Sequence, residues 1–92
     1  MTKDNVADVK GLVKIQFDLP AKRVEEIEKL MELTRTATRK DYFNNALTLL
    51  EWAIRERYMG NTIASVDEQK GKIKELVMPI LNAAVESETT RR

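Results

Sequence analysis

The sequence contains no cysteine and no histidine. Without cysteine there is no disulfide, no thiolate metal site and no cysteine nucleophile. Without histidine, the commonest general base and the commonest metal ligand are both gone. An enzyme made from this chain would have carboxylates, lysines and hydroxyls to work with, and no glycine-rich phosphate loop. No enzymatic activity, metal or cofactor is therefore expected. No apolar run approaches the roughly 20 residues of a membrane-spanning helix. The stretch from Met1 to Asp8 is polar, with no apolar signal core, so a cytoplasmic protein with no membrane partner is expected. Charge of one sign is also missing: 16 Lys and Arg stand against 15 Asp and Glu, for a net charge of +1. Composition does not mark a polyanion binder, so any such role has to come from where the charges sit. A chain of 92 residues is one small domain that buries little apolar area, which makes association a route to stability.

Prolines and glycines are few, and they fall at boundaries. Residues 1–11 read as a polar N-terminal arm that Gly11 sets apart, with Lys3 and Lys10 available to a polyanion. Leu12 to Pro20 follows, Leu-Val-Lys-Ile-Gln-Phe-Asp-Leu-Pro. Val13, Ile15, Phe17 and Leu19 alternate strictly with Lys14, Gln16 and Asp18, which predicts a strand with one buried and one exposed face. Pro20 has no N–H and a fixed φ, so it stops the strand and suits the start of a helix. No second strand lies within hairpin distance, and a lone strand has to pair with something, for which a second copy of itself is the candidate.

From Ala21 the apolar period becomes 3.6. Val24, Ile27, Leu30, Met31 and Leu33 form a stripe, with Glu25, Glu26, Glu28, Lys29 and Glu32 opposite. This predicts an amphipathic helix from Ala21 to Leu33 whose early carboxylates complement its dipole. The acidic face reads as solvated surface, since nothing nearby would raise a carboxylate pKa for catalysis. Thr34 to Ala37 reads as a turn. Thr38-Arg39-Lys40-Asp41 then resembles a capping box opening a second helix, expected from Arg39 to about Tyr58. Phe43, Ala46, Leu47, Leu50, Ala53 and Ile54 make its main stripe, while Tyr42, Leu49 and Trp52 put apolar groups on other faces. A helix apolar nearly all round is buried on most sides, and one short partner helix cannot cover it. Trp52 suits an anchor in a dimer core better than a ligand platform. Arg55 and Arg57 in the last turn and Gly60 beyond it close the helix.

The C-terminal extension, residues 61–85, divides into Asn61 to Asp67, a turn-like Glu68-Gln69-Lys70-Gly71, and Lys72 to Met78. A β-hairpin followed by a short helix from Pro79 to Ala84 is expected. The competing pattern is one helical stripe through Ile73, Leu76, Val77, Ile80, Leu81 and Ala84. It would place Pro79 inside a helix at a cost of about 3 kcal/mol. Residues 86–92 are a polar tail.

Strand, proline, amphipathic helix, polar turn, capped second helix: in this order Val13 to Pro20, Ala21 to Leu33, and Thr38 to Asp41 leading into Tyr42 to Ile54 resemble the ribbon-helix-helix family of DNA-binding proteins, the MetJ/Arc and CopG-like group. The likeness spans residues 12–60 and rests on order and spacing. It implies a mainly α (α+β) fold in which two chains pair their strands into an intermolecular antiparallel β-ribbon over four intertwined helices. It also implies a homodimeric transcriptional regulator, a repressor, associated with the nucleoid when bound to DNA. The ribbon would enter the major groove of double-stranded DNA and present Lys14, Gln16 and Asp18 to base edges. The start of the second helix, Thr38, Arg39 and Lys40, would hold phosphate. Val13, Ile15, Phe17, Leu19, Phe43, Leu47, Leu50, Trp52 and Ile54 would form the dimer core. The family often has Gly in the turn and Arg on the ribbon, where this chain has Ala37 and Asp18. The alternative is a dimeric protein-interaction module, or an antitoxin-like protein whose residues 61–85 bind a toxin or another partner, or join dimers into higher-order assemblies on DNA.

Overall fold

The computed structural model describes residues 11–91, with side chains described as far as Val85. The expected N-terminal arm, with Lys3 and Lys10, lies outside the described residues, as do the side chains of the polar tail. The chain divides into two units, Met1–Ala37 and Thr38–Arg92. The described residues form three helices and one two-stranded antiparallel sheet, an α+β architecture.

In the first unit, residues 13–20 carry no regular secondary structure, where the alternation predicts a strand. A strand is defined by the ladder it shares, and among the described residues the stretch 13–20 shares a ladder with no other strand. The apolar face is exposed accordingly: Val13 at 48%, Ile15 at 69%, Phe17 at 62% and Leu19 at 37%. Helix α1 spans Ala21–Thr34 and starts on Pro20, whose carbonyl accepts from the N–H groups of Arg23 (2.9 Å) and Val24 (3.1 Å). Proline loses nothing there, because an N-terminal N–H is unpaired in any helix. Val24, Ile27 and Met31 are half-buried along the expected stripe, whereas Leu30 and Leu33 are exposed. The early carboxylates do not reach the first turn, which holds no acid. Since the helix begins at Ala21, its first turn is Ala-Lys-Arg-Val, and the acids begin one residue later. Exposed Arg23 and Glu26 bridge the boundary at 3.3 Å, a pair worth a few tenths of a kcal/mol.

The turn after α1 has the hydrogen bonds of a Schellman ending. Thr36 N–H donates to the carbonyl of Met31 (2.8 Å) and Arg35 N–H to that of Glu32 (3.2 Å). Arg35 takes φ 57° and ψ 39° there, the left-handed conformation that glycine adopts without penalty. Thr34 Oγ1 adds a bond of 2.8 Å to the carbonyl of Leu30 and a contact of 2.7 Å to the hydroxyl of Thr36.

The second unit opens with α2, Arg39–Tyr58, with the boundaries the sequence predicts. It closes through Gly60, at φ 93°, whose N–H donates to the carbonyl of Arg57 (2.9 Å) while Asn61 N–H donates to that of Glu56 (2.8 Å). Asn61 Nδ2 also reaches Glu56 Oε1 at 2.8 Å, and Arg57 Nη1 reaches the Asn61 carbonyl at 3.3 Å. The expected hairpin follows as β1, Ala64–Asp67, and β2, Lys72–Glu75, paired Ala64 with Glu75 and Asp67 with Lys72. Its four-residue loop is held by Asp67 Oδ1, which accepts from Lys70 N–H at 3.1 Å, and ends on Gly71 at φ 66°. Pro79 opens α3, Pro79–Arg91, which rules out the single helical stripe. The helix continues past the expected end at Ala84, because no glycine or proline follows Pro79 to stop it. It packs on α2. Among the described residues the buried apolar side chains are Ala53 on α2 and Leu81 and Ala84 on α3.

Among the described residues Arg35 is the one non-glycine residue with a positive φ. Replacing it by glycine (Arg35→Gly) removes the left-handed penalty and raises stability by about 1 kcal/mol. Urea unfolding followed by far-UV circular dichroism, at one fixed chain concentration, measures the gain. A loss would mean that the Arg35 side chain contributes more than its backbone costs.

Candidate nucleic-acid interface

The start of α2 is built by Thr38. Its backbone is extended (φ −131°, ψ 154°), and its Oγ1 accepts from Asp41 N–H at 3.0 Å. Its carbonyl takes the first helical bond, from Tyr42 N–H at 3.1 Å. This is the N-cap geometry expected from Thr-Arg-Lys-Asp, and it orients the first N–H groups along the helix axis toward solvent. Arg39 and Lys40 occupy the first two helical positions and are exposed. Positive charge thus stands at the positive end of a 20-residue helix, which the dipole disfavours unless an anion sits there. Asp41, in the same turn, offsets part of that charge. Behind the cap, Tyr42 and Phe43 meet edge to face with ring centres 5.6 Å apart. Asn45 Nδ2 donates to the Asp41 carbonyl (2.8 Å), and Thr48 Oγ1 to the Asn44 carbonyl (2.9 Å). Both side chains back-bond to the carbonyl four residues earlier along the helix.

Lys14, Gln16 and Asp18 are exposed in the extended stretch before α1. They belong to the first unit, while Thr38, Arg39 and Lys40 belong to the second. Lysine and glutamine are donors suited to guanine N7 and O6 and to adenine N7, while Asp18 can only accept, and among base edges it fits a cytosine N4. Lys22 and Arg23 add a second basic site that the sequence reading passed over, in the first turn of α1. The available signal was Pro20, which fixes where the helix begins and so which residues form its first turn.

Of the residues expected in a dimer core, Phe43, Leu50 and Ile54 are half-buried, while Leu47 and Trp52 are exposed, Trp52 at 47%. Among the described residues no cluster of three carboxylates is placed to hold a metal ion, and no helix is long and apolar enough to cross a membrane. Compared with family models, with curated proteins and with solved structures, the chain finds no match.

The cap can be tested apart from any ligand. Thr38→Ala should lower stability by about 1 kcal/mol, and Thr38→Ser should recover most of it, because the serine hydroxyl restores the same acceptor. Thermal unfolding of the three proteins at equal concentration reads the difference. Equal losses in both variants would assign the effect to the threonine methyl group instead.

Proposed function

We propose that the chain is a homodimeric, sequence-specific double-stranded DNA-binding protein of the ribbon-helix-helix kind, acting as a transcriptional repressor. The observation that carries this reading is the exposed alternating stretch from Val13 to Leu19, leading straight into a proline-capped helix. An extended segment with four apolar side chains on one parity needs both a hydrogen-bonding partner and a cover. A second copy of the stretch supplies both by antiparallel pairing. The apolar parity then closes on the helices, and Lys14, Gln16 and Asp18 face outward as a two-stranded ribbon that the major groove can admit. The Thr38-capped start of α2 supplies the second requirement, oriented N–H groups with Arg39 and Lys40 beside them to hold a phosphate. In this division Lys14 and Gln16 read bases while Arg39 and Lys40 fix position.

A dimeric protein-interaction module without DNA binding, including an antitoxin-like partner protein, is the second reading. Its support is the near-neutral net charge of +1 together with Asp18 and Asp41, two carboxylates placed where phosphates would approach.

Light scattering should give at least the mass of a dimer, and that mass should persist in a chain whose hairpin edge is blocked; a folded monomer would contradict the ribbon. Binding to random-sequence duplex should weaken steeply as salt rises. If Arg39 and Lys40 of both copies neutralise phosphates, the slope of log K against log salt should be roughly −4. Absence of binding even at low salt selects the interaction module. On a cognate site chosen from a random duplex library, Gln16→Ala should lose about 1–3 kcal/mol of discrimination between bases. Lys40→Ala should weaken all duplexes alike and, because both copies lose the lysine, make the salt slope shallower by about 2. Identical behaviour of the two variants would overturn the division between reading and positioning residues.

A further inference from the structure

The hairpin is the least covered element of the second unit. All eight residues of β1 and β2 are exposed, with Val66 at 61% and its cross-strand neighbour Ile73 at 71%. A two-stranded hairpin on its own is marginal in water, and three or more strands with an apolar face are needed for independent stability. The hydrogen-bond pattern says which groups are left over. Leu76 N–H donates to the Ile63 carbonyl at 2.7 Å, so Ile63 and Leu76 form a hydrogen-bonded pair. Inward and outward bonding alternate along an antiparallel ladder. The backbone groups of Ser65 and Asp67 therefore point toward β2, while those of Ala64 and Val66 point away from it, to an open edge. On β2 the outward groups are those of Ile73 and Glu75.

The two edges are not equivalent. Strand β2 reads Lys-Ile-Lys-Glu, and symmetric pairing with its own copy about Ile73 or Lys74 sets lysine directly opposite lysine, the device that keeps edges apart. Strand β1 reads Ala-Ser-Val-Asp, with no lysine, no proline and no charge before Asp67. Antiparallel pairing of two β1 strands about Ser65 places Ala64 opposite Val66 of the second copy in both directions. That register engages every outward N–H and C=O of Ala64 and Val66. It leaves Ser65 facing Ser65 at the close, non-hydrogen-bonded spacing, where a small hydroxyl fits. Asp67 comes opposite Ile63 and meets no like charge. Ala64, Val66 and Ile73 of both copies then lie on one side of a four-stranded sheet.

We propose that β1 is a self-association edge, by which the hairpins of two copies of this chain join into the four-stranded sheet β2-β1-β1-β2, centred on Ser65. The surface is separate from residues 12–19, so its partner is a second copy whether or not those residues form a ribbon on DNA.

The absence of native cysteine makes the test clean. In the full-length chain, Ser65→Cys puts two thiols opposite each other across the two-fold axis. Adjacent β-strands set Cα atoms about 4.5 Å apart at such a pair, inside the range a disulfide spans. Mild oxidation followed by non-reducing denaturing electrophoresis should show covalent dimer forming about tenfold faster than for Gln69→Cys at the loop tip, because pairing raises the effective thiol concentration. Equal rates for the two variants would overturn the proposal. A second variant, Ser65→Lys, sets like charges opposite each other at a position already exposed, so the chain keeps its helical circular dichroism. Its mass by light scattering should fall by half at concentrations where the parent is associated through the hairpin, and an unchanged mass would also overturn the proposal. Duplex binding is read on separate samples. Loss of Ser65 cross-linking with duplex binding intact, or the reverse, therefore tells which of the two proposals has failed.

Discussion

Apolar side chains that their own chain leaves uncovered are the constraint on which the rest of this protein depends. Among the described residues, full burial is confined to Ala53 on α2 and Leu81 and Ala84 on α3, two helices that pack together. Fully burying a leucine is worth about 1.5–3 kcal/mol, whereas fixing each backbone residue costs about 1–2 kcal/mol. A seam of one leucine and two alanines cannot hold an ordered chain of this length. Val13, Ile15 and Phe17 before α1, Leu47, Leu49 and Trp52 on α2, and Val66, Ile73 and Val77 around the hairpin are all exposed. Their distribution matters as much as their number. They fall in three stretches of different geometry, one extended, one helical and one a hairpin, and each calls for a different kind of cover. An extended stretch and a strand edge are best matched by copies of themselves, since hydrogen-bond spacing and side-chain parity are then complementary by construction.

Local signals carried most of the fold in the sequence. Thr38 and Gly60 mark the two ends of α2 because capping chemistry acts within four residues and owes little to tertiary context. The same holds for Asp67 and Gly71 in the hairpin loop and for Pro79 at the start of α3, where proline decided between hairpin and helix. The readings that shifted depend on something else. The carboxylates assigned to the start of α1 lie beyond its first turn, because a helix dipole is a matter of single positions and Pro20 fixes those positions. The helix α3 outran its expected end because its apolar stripe stops at Ala84 while its backbone, with no breaker in the way, does not. The strand from Val13 to Leu19 was legible as a period but not as an element, since strand pairing is a property of two segments. The left-handed Arg35 gave no signal at all. Glycine marks such a site in sequence, and an arginine there is silent.

Helix ends, not helix faces, connect the fold to the candidate interface. The Thr38 hydroxyl occupies the Asp41 N–H, which aligns the preceding turn and leaves its charge at the protein surface. The Schellman bonds around Arg35 and Thr36 end α1 four residues before α2 begins.

Near-neutral charge bears on what kind of DNA binder this chain would be. Phosphate contacts supply most non-specific affinity, and here they would come from few cations, with Asp18 and Asp41 working against them. Such a protein would bind random duplex weakly and depend for residence on base contacts. Asp18 then stops being a defect. A carboxylate on the ribbon is repelled by every site except one that offers it a donor, so it would penalise wrong sequences more than it rewards the right one. On such a ribbon Lys14 and Gln16 would supply attraction to guanine and adenine edges, and Asp18 would supply rejection in the absence of a cytosine amino group. Discrimination built this way would grow as the electrostatic background shrinks, so a balanced composition is compatible with the sequence-specific recognition proposed above.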